Sequence, residues 1–164
     1  MHLRRFTFGW RGRLARCLVF EQRIGHQFGN VFDQGPGFDH TFEHGGALRA
    51  PDRHQLGREQ IADYARAANA AGIDMLLFLQ VTFTDSSVCA EIAKSLSVPL
   101  VVWTFSEART GGRLRLNSFC GVNLASHTLT RMAKSLDNVH GAPDSAECLE
   151  RLGELAHAAA VVRK

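Results

Sequence analysis

Apolar positions along the chain follow two rhythms. Asp74–Val81 and Val98–Thr104 run apolar without alternation, as short strands do when both faces are covered. Other segments repeat every three to four residues, the helical spacing. Ile61, Tyr64, Ala65, Ala68 and Ala71 predict a helix stopped at Gly72. Val88, Ile92 and Leu96 predict a second, with Thr84 or Asp85 as its cap. Val122, Ala125, Leu129 and Met132 predict a third, capped by Asn117 or Ser118, and Leu149, Leu152, Ala156 and Ala159 a fourth. Before the fourth, Asp144 followed by Glu147 matches a capping box. A weaker strand is expected at Leu136–His140. Strand and helix alternate throughout, which predicts an α/β fold: a Rossmann-like three-layer sandwich with a mostly parallel sheet.

The first third is less regular. Residues 1–9, with Phe6-Thr7-Phe8-Gly9, read as a first or edge strand ending in a turn. Residues 10–56 sustain neither period, and Gln34-Gly35-Pro36-Gly37 is a break. A structureless loop of that length is unusual inside a compact domain, and a shifted reading frame is one account of it. The expected organisation is one α/β domain over residues 1–145, atypical at 10–56, with 146–164 a helix leading towards a further domain.

Charge adds one feature. The net charge is only +3, which gives no footprint for nucleic acid. Five arginines (Arg4, Arg5, Arg11, Arg13, Arg16) nevertheless fall in the first 20 residues, where there is no acid. That pattern admits an organelle transit peptide as an alternative to a first strand. No apolar run approaches the length of a membrane span, and no secretory signal is present. The four cysteines are scattered without a Cys-x-x-Cys. They are expected to be reduced thiols of a cytoplasmic protein, three of them buried on helix faces.

Candidate chemistry lies after the two apolar strands. In open parallel sheets ligands bind off the carboxyl ends of strands, where helix N-termini offer free N–H groups. Thr82-Phe83-Thr84-Asp85 and the stretch from Ser106 to Asn117 occupy such ends. If the strands are neighbours, the loops face one another across a cleft holding Thr82, Thr84, Asp85, Arg109, Arg113, Arg115, Asn117 and Ser118. That set of hydroxyls, carboxylate, guanidiniums and amide suits a polyhydroxylated sugar or a sugar acid. The same residues have a purely structural alternative: Thr84 and Asp85 as helix caps, the arginines as loop ties, and Arg113–Leu116 as a short extended edge. The Arg109–Asn117 stretch is glycine-rich but is not a P-loop. His40-Thr41-Phe42-Glu43-His44 has the spacing of an inverted zinc-peptidase motif, but glycines on both sides leave no helix long enough to present it. His127 and His157 are expected to be ordinary helix residues. No nucleophile elbow is present.

Three segments carry a resemblance: Leu79-Gln-Val-Thr-Phe-Thr-Asp85, Val102-Trp-Thr-Phe-Ser-Glu107, and Arg109-Thr-Gly-Gly-Arg-Leu-Arg-Leu-Asn-Ser-Phe-Cys-Gly-Val-Asn-Leu-Ala-Ser-His127. They resemble the N-terminal domain of the L-fucose/L-arabinose isomerase family, in its bacterial fucose-isomerase-like subgroup, over about residues 57–145. The resemblance implies a Rossmann-like first domain of an aldose–ketose isomerase working through an enediol. It also implies a divalent metal, often manganese, held by two acids and a histidine of later domains. This chain ends before those ligands, so no catalytic residue carries over. It is expected to be inactive alone, a truncated piece whose implied roles are sugar recognition and contact within a homo-oligomer or with the missing C-terminal domains. Substrate binding by the loop residues named above follows from position only.

Overall fold

The computed structural model describes residues 2–10, 13–21, 58–107, 111–112, 116–142 and 144–163. Among these are five strands and four helices: β1 (His2–Trp10), β2 (Arg13–Glu21), α1 (Arg58–Ala70), β3 (Met75–Leu79), α2 (Ser87–Lys94), β4 (Leu100–Thr104), α3 (Ser118–Arg131), β5 (Leu136–His140) and α4 (Ala146–Val162). The strands form one sheet in the order β1-β2-β3-β4-β5. β1 pairs antiparallel with β2, and β2 to β5 are parallel to one another. The expected α/β class, the mostly parallel sheet and the strand at Leu136–His140 are all present.

Alternation along β3 and β4 divides the interior in two. Leu76, Phe78, Leu100 and Val102 face α1 to α3, packing with Ile61, Ala68, Ile92, Ala93, Val122, Ala125 and Leu129. Met75, Leu77, Leu79, Val101 and Trp103 face the other way, towards α4 through Leu152, Ala156 and Ala159, together with Ala15 and Cys17 of β2. Both strands are buried at every position because each face carries a helix layer. The consecutive strand order explains the layering. Successive crossovers of one hand put α1, α2 and α3 on the same side, and α4 runs back over the opposite face to reach β2 and β1.

The structure corrects the sequence reading in several places. The strand expected at the start is present as β1, but part of the stretch that shows no clear period is also strand: β2 occupies Arg13–Glu21, and both belong to the sheet. Only Ala15 and Cys17 there carry described side chains, and both are buried, two residues apart on one face. The cap of α4 is Ser145, not Asp144; its hydroxyl accepts from the Cys148 N–H at 3.3 Å. Three cysteines are buried as expected, but Cys17 lies on a strand and Cys120, on α3, is exposed.

The thiols make a direct check on this packing. Burial pushes Cys17 up to about 12, with Asp74 adding to the effect, and burial pushes Cys89 up to about 11; the Cys148 thiol is also raised, chiefly by burial. Thiolate is the reactive form. Ellman's reagent is therefore expected to titrate one thiol, Cys120, rapidly in the native protein and four in denaturant, with Cys120→Ser abolishing the fast phase. More than one fast thiol would contradict the burial of the other three. No helix among the described residues is long and apolar enough to cross a membrane.

Candidate functional site

The carboxyl ends of β3, β4 and β5 lie side by side, and their loops form one polar rim. Gln80, the residue after β3, is buried and anchors the first loop. Its side-chain nitrogen donates to the Thr82 carbonyl at 2.5 Å and to the Thr84 hydroxyl at 3.0 Å. Its own carbonyl accepts from the Thr104 hydroxyl at 3.3 Å, tying it to β4. The α3 helix comes close to this turn because Gly121 has no side chain. A Cβ there would stand 2.9 Å from Gln80 Nε2 and 3.0 Å from the Thr82 carbonyl oxygen.

The β3 and β4 loops meet directly instead of facing one another across an open gap. The Thr82 hydroxyl donates to the Leu116 carbonyl at 3.1 Å, and the Phe83 N–H donates to the same oxygen at 2.6 Å. Thr82 is thus a buried structural tie, and Thr84 is half-buried beside it. Asp85 is exposed and accepts from the Ser87 N–H at 2.9 Å and from the Ser87 hydroxyl. These bonds hold its carboxyl below the ordinary carboxylate value, the hydroxyl contact contributing most. The cap position of α2 is Ser86 rather than Thr84 or Asp85, but Asp85, one residue earlier, still bonds the first N–H of the helix and presents a carboxylate at the rim.

The second loop is held by a residue whose role the sequence did not reveal. Glu107 accepts from the Leu116 N–H at 2.7 Å through one carboxylate oxygen and from the Asn117 N–H at 2.6 Å through the other. Glu107 is thereby fixed to the residues that lead into α3. Neither Asn117 nor Ser118 caps α3 by its side chain. Asn117 sits at the cap position in the left-handed region (φ 52°, ψ 40°), and the Ser118 hydroxyl donates to the Phe105 carbonyl at 3.1 Å. Within the loop Gly111 and Gly112 have φ of 77° and 79°, a conformation that favours glycine. Arg109, Arg113 and Arg115 lie outside the described residues, as do His40, Glu43 and His44.

At the β5 end the Gly141 N–H donates to the Thr104 carbonyl at 3.1 Å, and the buried indole of Trp103 donates to the Gly141 carbonyl at 3.0 Å. Beside them Ser106 Oγ and His140 Nε2 stand 3.1 Å apart, both on exposed residues. The structure therefore brings Thr82, Thr84, Asp85 and Asn117 to one edge and adds Gln80, Glu107, Ser106 and His140. A polar Gln80 inside an apolar run and a lone Glu107 at the start of a basic loop were the visible signals. Nothing local links Ser106 to His140, 34 residues away. No three His, Cys, Asp or Glu side chains converge among the described residues.

Comparison with known proteins agrees with this architecture. A sequence model described as "Fucose/sulfoquinovose isomerase, N-terminal domain" matches residues 56–164. A sulfoquinovose isomerase of Alkalicoccus urumqiensis is 37% identical over 82 residues, covering 50% of this chain and 18% of that protein. One from Priestia aryabhattai is 33% identical over 103 residues, covering 63% and 23%. One from Clostridium sp. (strain MSTE9) is 28% identical over 92 residues, covering 55% and 21%. The matches span about a fifth of the length of these curated relatives. The family match begins where regular periodicity returns and covers every element from α1 to α4, and on that ground the chain belongs to the fucose/sulfoquinovose isomerase family, matching its N-terminal domain.

Proposed function

We propose that this chain is the sugar-recognition and subunit-contact part of an aldose–ketose isomerase acting on a sugar sulfonate, and that it does not isomerise a sugar by itself. The observation carrying the reading is the polar rim on the carboxyl ends of β3 to β5, where Thr82 and Phe83 tie one loop to the other and Gln80 and Glu107 brace each loop internally. Open parallel sheets take ligands at this edge. Rigid ties there make sense for a recognition surface, because preorganised groups lose less entropy on binding.

The names of the relatives support a sulfonated sugar over L-fucose or L-arabinose as the ligand. Sequence position supports the same choice. Arg109, Arg113 and Arg115 fall in sequence between Glu107 and the Leu116 and Asn117 N–H groups it accepts from, and guanidinium suits an oxyanion. Hydroxyl and carboxylate groups such as Asp85 suit the sugar hydroxyls. The proton transfers of isomerisation would come from groups outside the described residues, with the divalent metal of the family beside them.

Two measurements on the purified chain test this. With manganese present, turnover of sulfoquinovose is expected to stay at background; turnover above background would overturn the assignment of catalysis elsewhere. A thermal-shift panel of sulfoquinovose, L-fucose and L-arabinose is expected to favour the sulfonate. At a hundredfold excess over Kd, binding stabilises by about 2.7 kcal/mol, an upward Tm shift of roughly 5–10 °C for a chain of this size. No shift with any sugar would remove the recognition role.

A further inference from the structure

We propose that Ser106 and His140 form a recognition pair for adjacent hydroxyls of the sugar, extending the rim from β3 and β4 across to β5. The inference rests on the reading that this edge binds a sugar.

Both residues sit at carboxyl ends of neighbouring parallel strands. His140 is the last residue of β5 and registers against Thr104, the last residue of β4; Ser106 follows two positions later. The 3.1 Å contact between Ser106 Oγ and His140 Nε2 is exposed, and the fold has little need of it. The same strand ends are already joined by the Gly141–Thr104 backbone bond and by the Trp103–Gly141 bond. An additional exposed side-chain bond contributes little to stability, because water competes for both partners.

The chemistry of the pair suits a polyhydroxylated ligand. A neutral imidazole carries one donor and one acceptor, and a serine hydroxyl carries one donor and two acceptor lone pairs. Their mutual bond consumes one capacity of each. With Nε2 as acceptor, Ser106 donates to His140 and keeps its lone pairs for a ligand hydroxyl. With Nε2 protonated, the Ser106 hydrogen is released to donate outward. The pair can therefore meet a donor or an acceptor without moving, which is the demand set by neighbouring sugar hydroxyls. Ser106 follows the strand next to β3 and His140 ends the strand after that, two strand spacings or about 10 Å from β3, which keeps the pair on the same rim as Asp85 while reaching a different part of the ligand.

Titration calorimetry of the full chain with sulfoquinovose tests the pair through a double-mutant cycle. Ser106→Ala and His140→Ala are each expected to weaken binding about threefold to tenfold, the loss of an uncharged hydrogen bond. The double variant should bind about as well as either single variant, because the two act as a unit. The Tm of all three should stay close to that of the parent, which a purely structural role would not allow if binding fell. If the parent binds and both single variants bind equally well, the pair is not part of the subsite and the sugar-binding reading stands. If the parent does not bind sulfoquinovose, the sugar-binding reading fails and the pair falls with it. Independent, additive losses would refute the coupled pair.

Discussion

Trp103→Ala is expected to reduce stability by about 3–5 kcal/mol, the usual cost of deleting a buried large aromatic. Trp103 is 0% exposed near the carboxyl end of β4, in the same cluster as Leu152 and Ala156 of α4. Its removal would leave a cavity between sheet and helix that the strands on either side cannot collapse to fill. It would also free the Gly141 carbonyl, which accepts the indole N–H at 3.0 Å and fixes the turn from β5 towards α4. A loss of that size is a large share of the roughly 5–15 kcal/mol that holds a domain together. Trp103→Phe separates the two contributions. It keeps most of the volume and loses the hydrogen bond, so a smaller loss, about 1–3 kcal/mol, is expected. Urea midpoints at constant m-value measure both. Equal losses for alanine and phenylalanine would show that packing volume is not what Trp103 supplies.

Glu107→Ala is expected to destabilise by about 2–4 kcal/mol and to lower sugar binding at least tenfold, since two charge-assisted bonds disappear together. The carboxylate holds the N–H groups of Leu116 and Asn117 at 2.7 and 2.6 Å, just where the chain turns into α3 with Asn117 in a left-handed conformation. Asparagine tolerates that region better than most non-glycine residues but still benefits from bonds that fix it there. Glu107 provides them by matching two oxygens to two successive donors. Glu107→Gln should recover about half of the loss, because it offers one uncharged accepting oxygen where the carboxylate offers two charged ones, one for each N–H. The effect on binding would come from loosening of Leu116 and Asn117, since the Leu116 carbonyl also holds Thr82 and Phe83 of the β3 loop. Amide hydrogen exchange at Leu116 and Asn117 provides the local readout. Unchanged protection in Glu107→Ala would show that the clamp does not hold the loop.

Much of the fold was legible because it depends on neighbours in sequence. Met75–Leu79 and Leu100–Thr104 are apolar at every position, as strands between two helix layers must be, and the stripes Ile61–Ala65–Ala68 and Val122–Ala125–Leu129 mark the buried sides of α1 and α3. β5 was fainter because Asp137, Asn138 and His140 are exposed and only Val139 is buried. β2 was missed because the arginines around it dominate the local pattern, while its described buried side chains, Ala15 and Cys17, are small. The cap of α4 slipped by one residue because Asp144 and Ser145 have similar capping chemistry, and only backbone geometry selects between them.

The candidate site divides in the same way. The sequence alone determined the α/β class, the family resemblance, and the two loops after β3 and β4 that hold Thr82, Thr84, Asp85 and Asn117. Their types and order are local facts, written in residues a few positions apart. Only the tertiary structure decided how they are tied: Thr82 bonds the other loop, Glu107 accepts from the backbone of Leu116 and Asn117, and Ser106 meets His140. The ties of Thr82 to Leu116 and of Ser106 to His140 depend on parallel strands being laid side by side, which joins residues 34 positions apart. Periodicity reports which side of an element is buried. It does not report which loops share an edge of the sheet, and that adjacency brings the polar groups of this rim together.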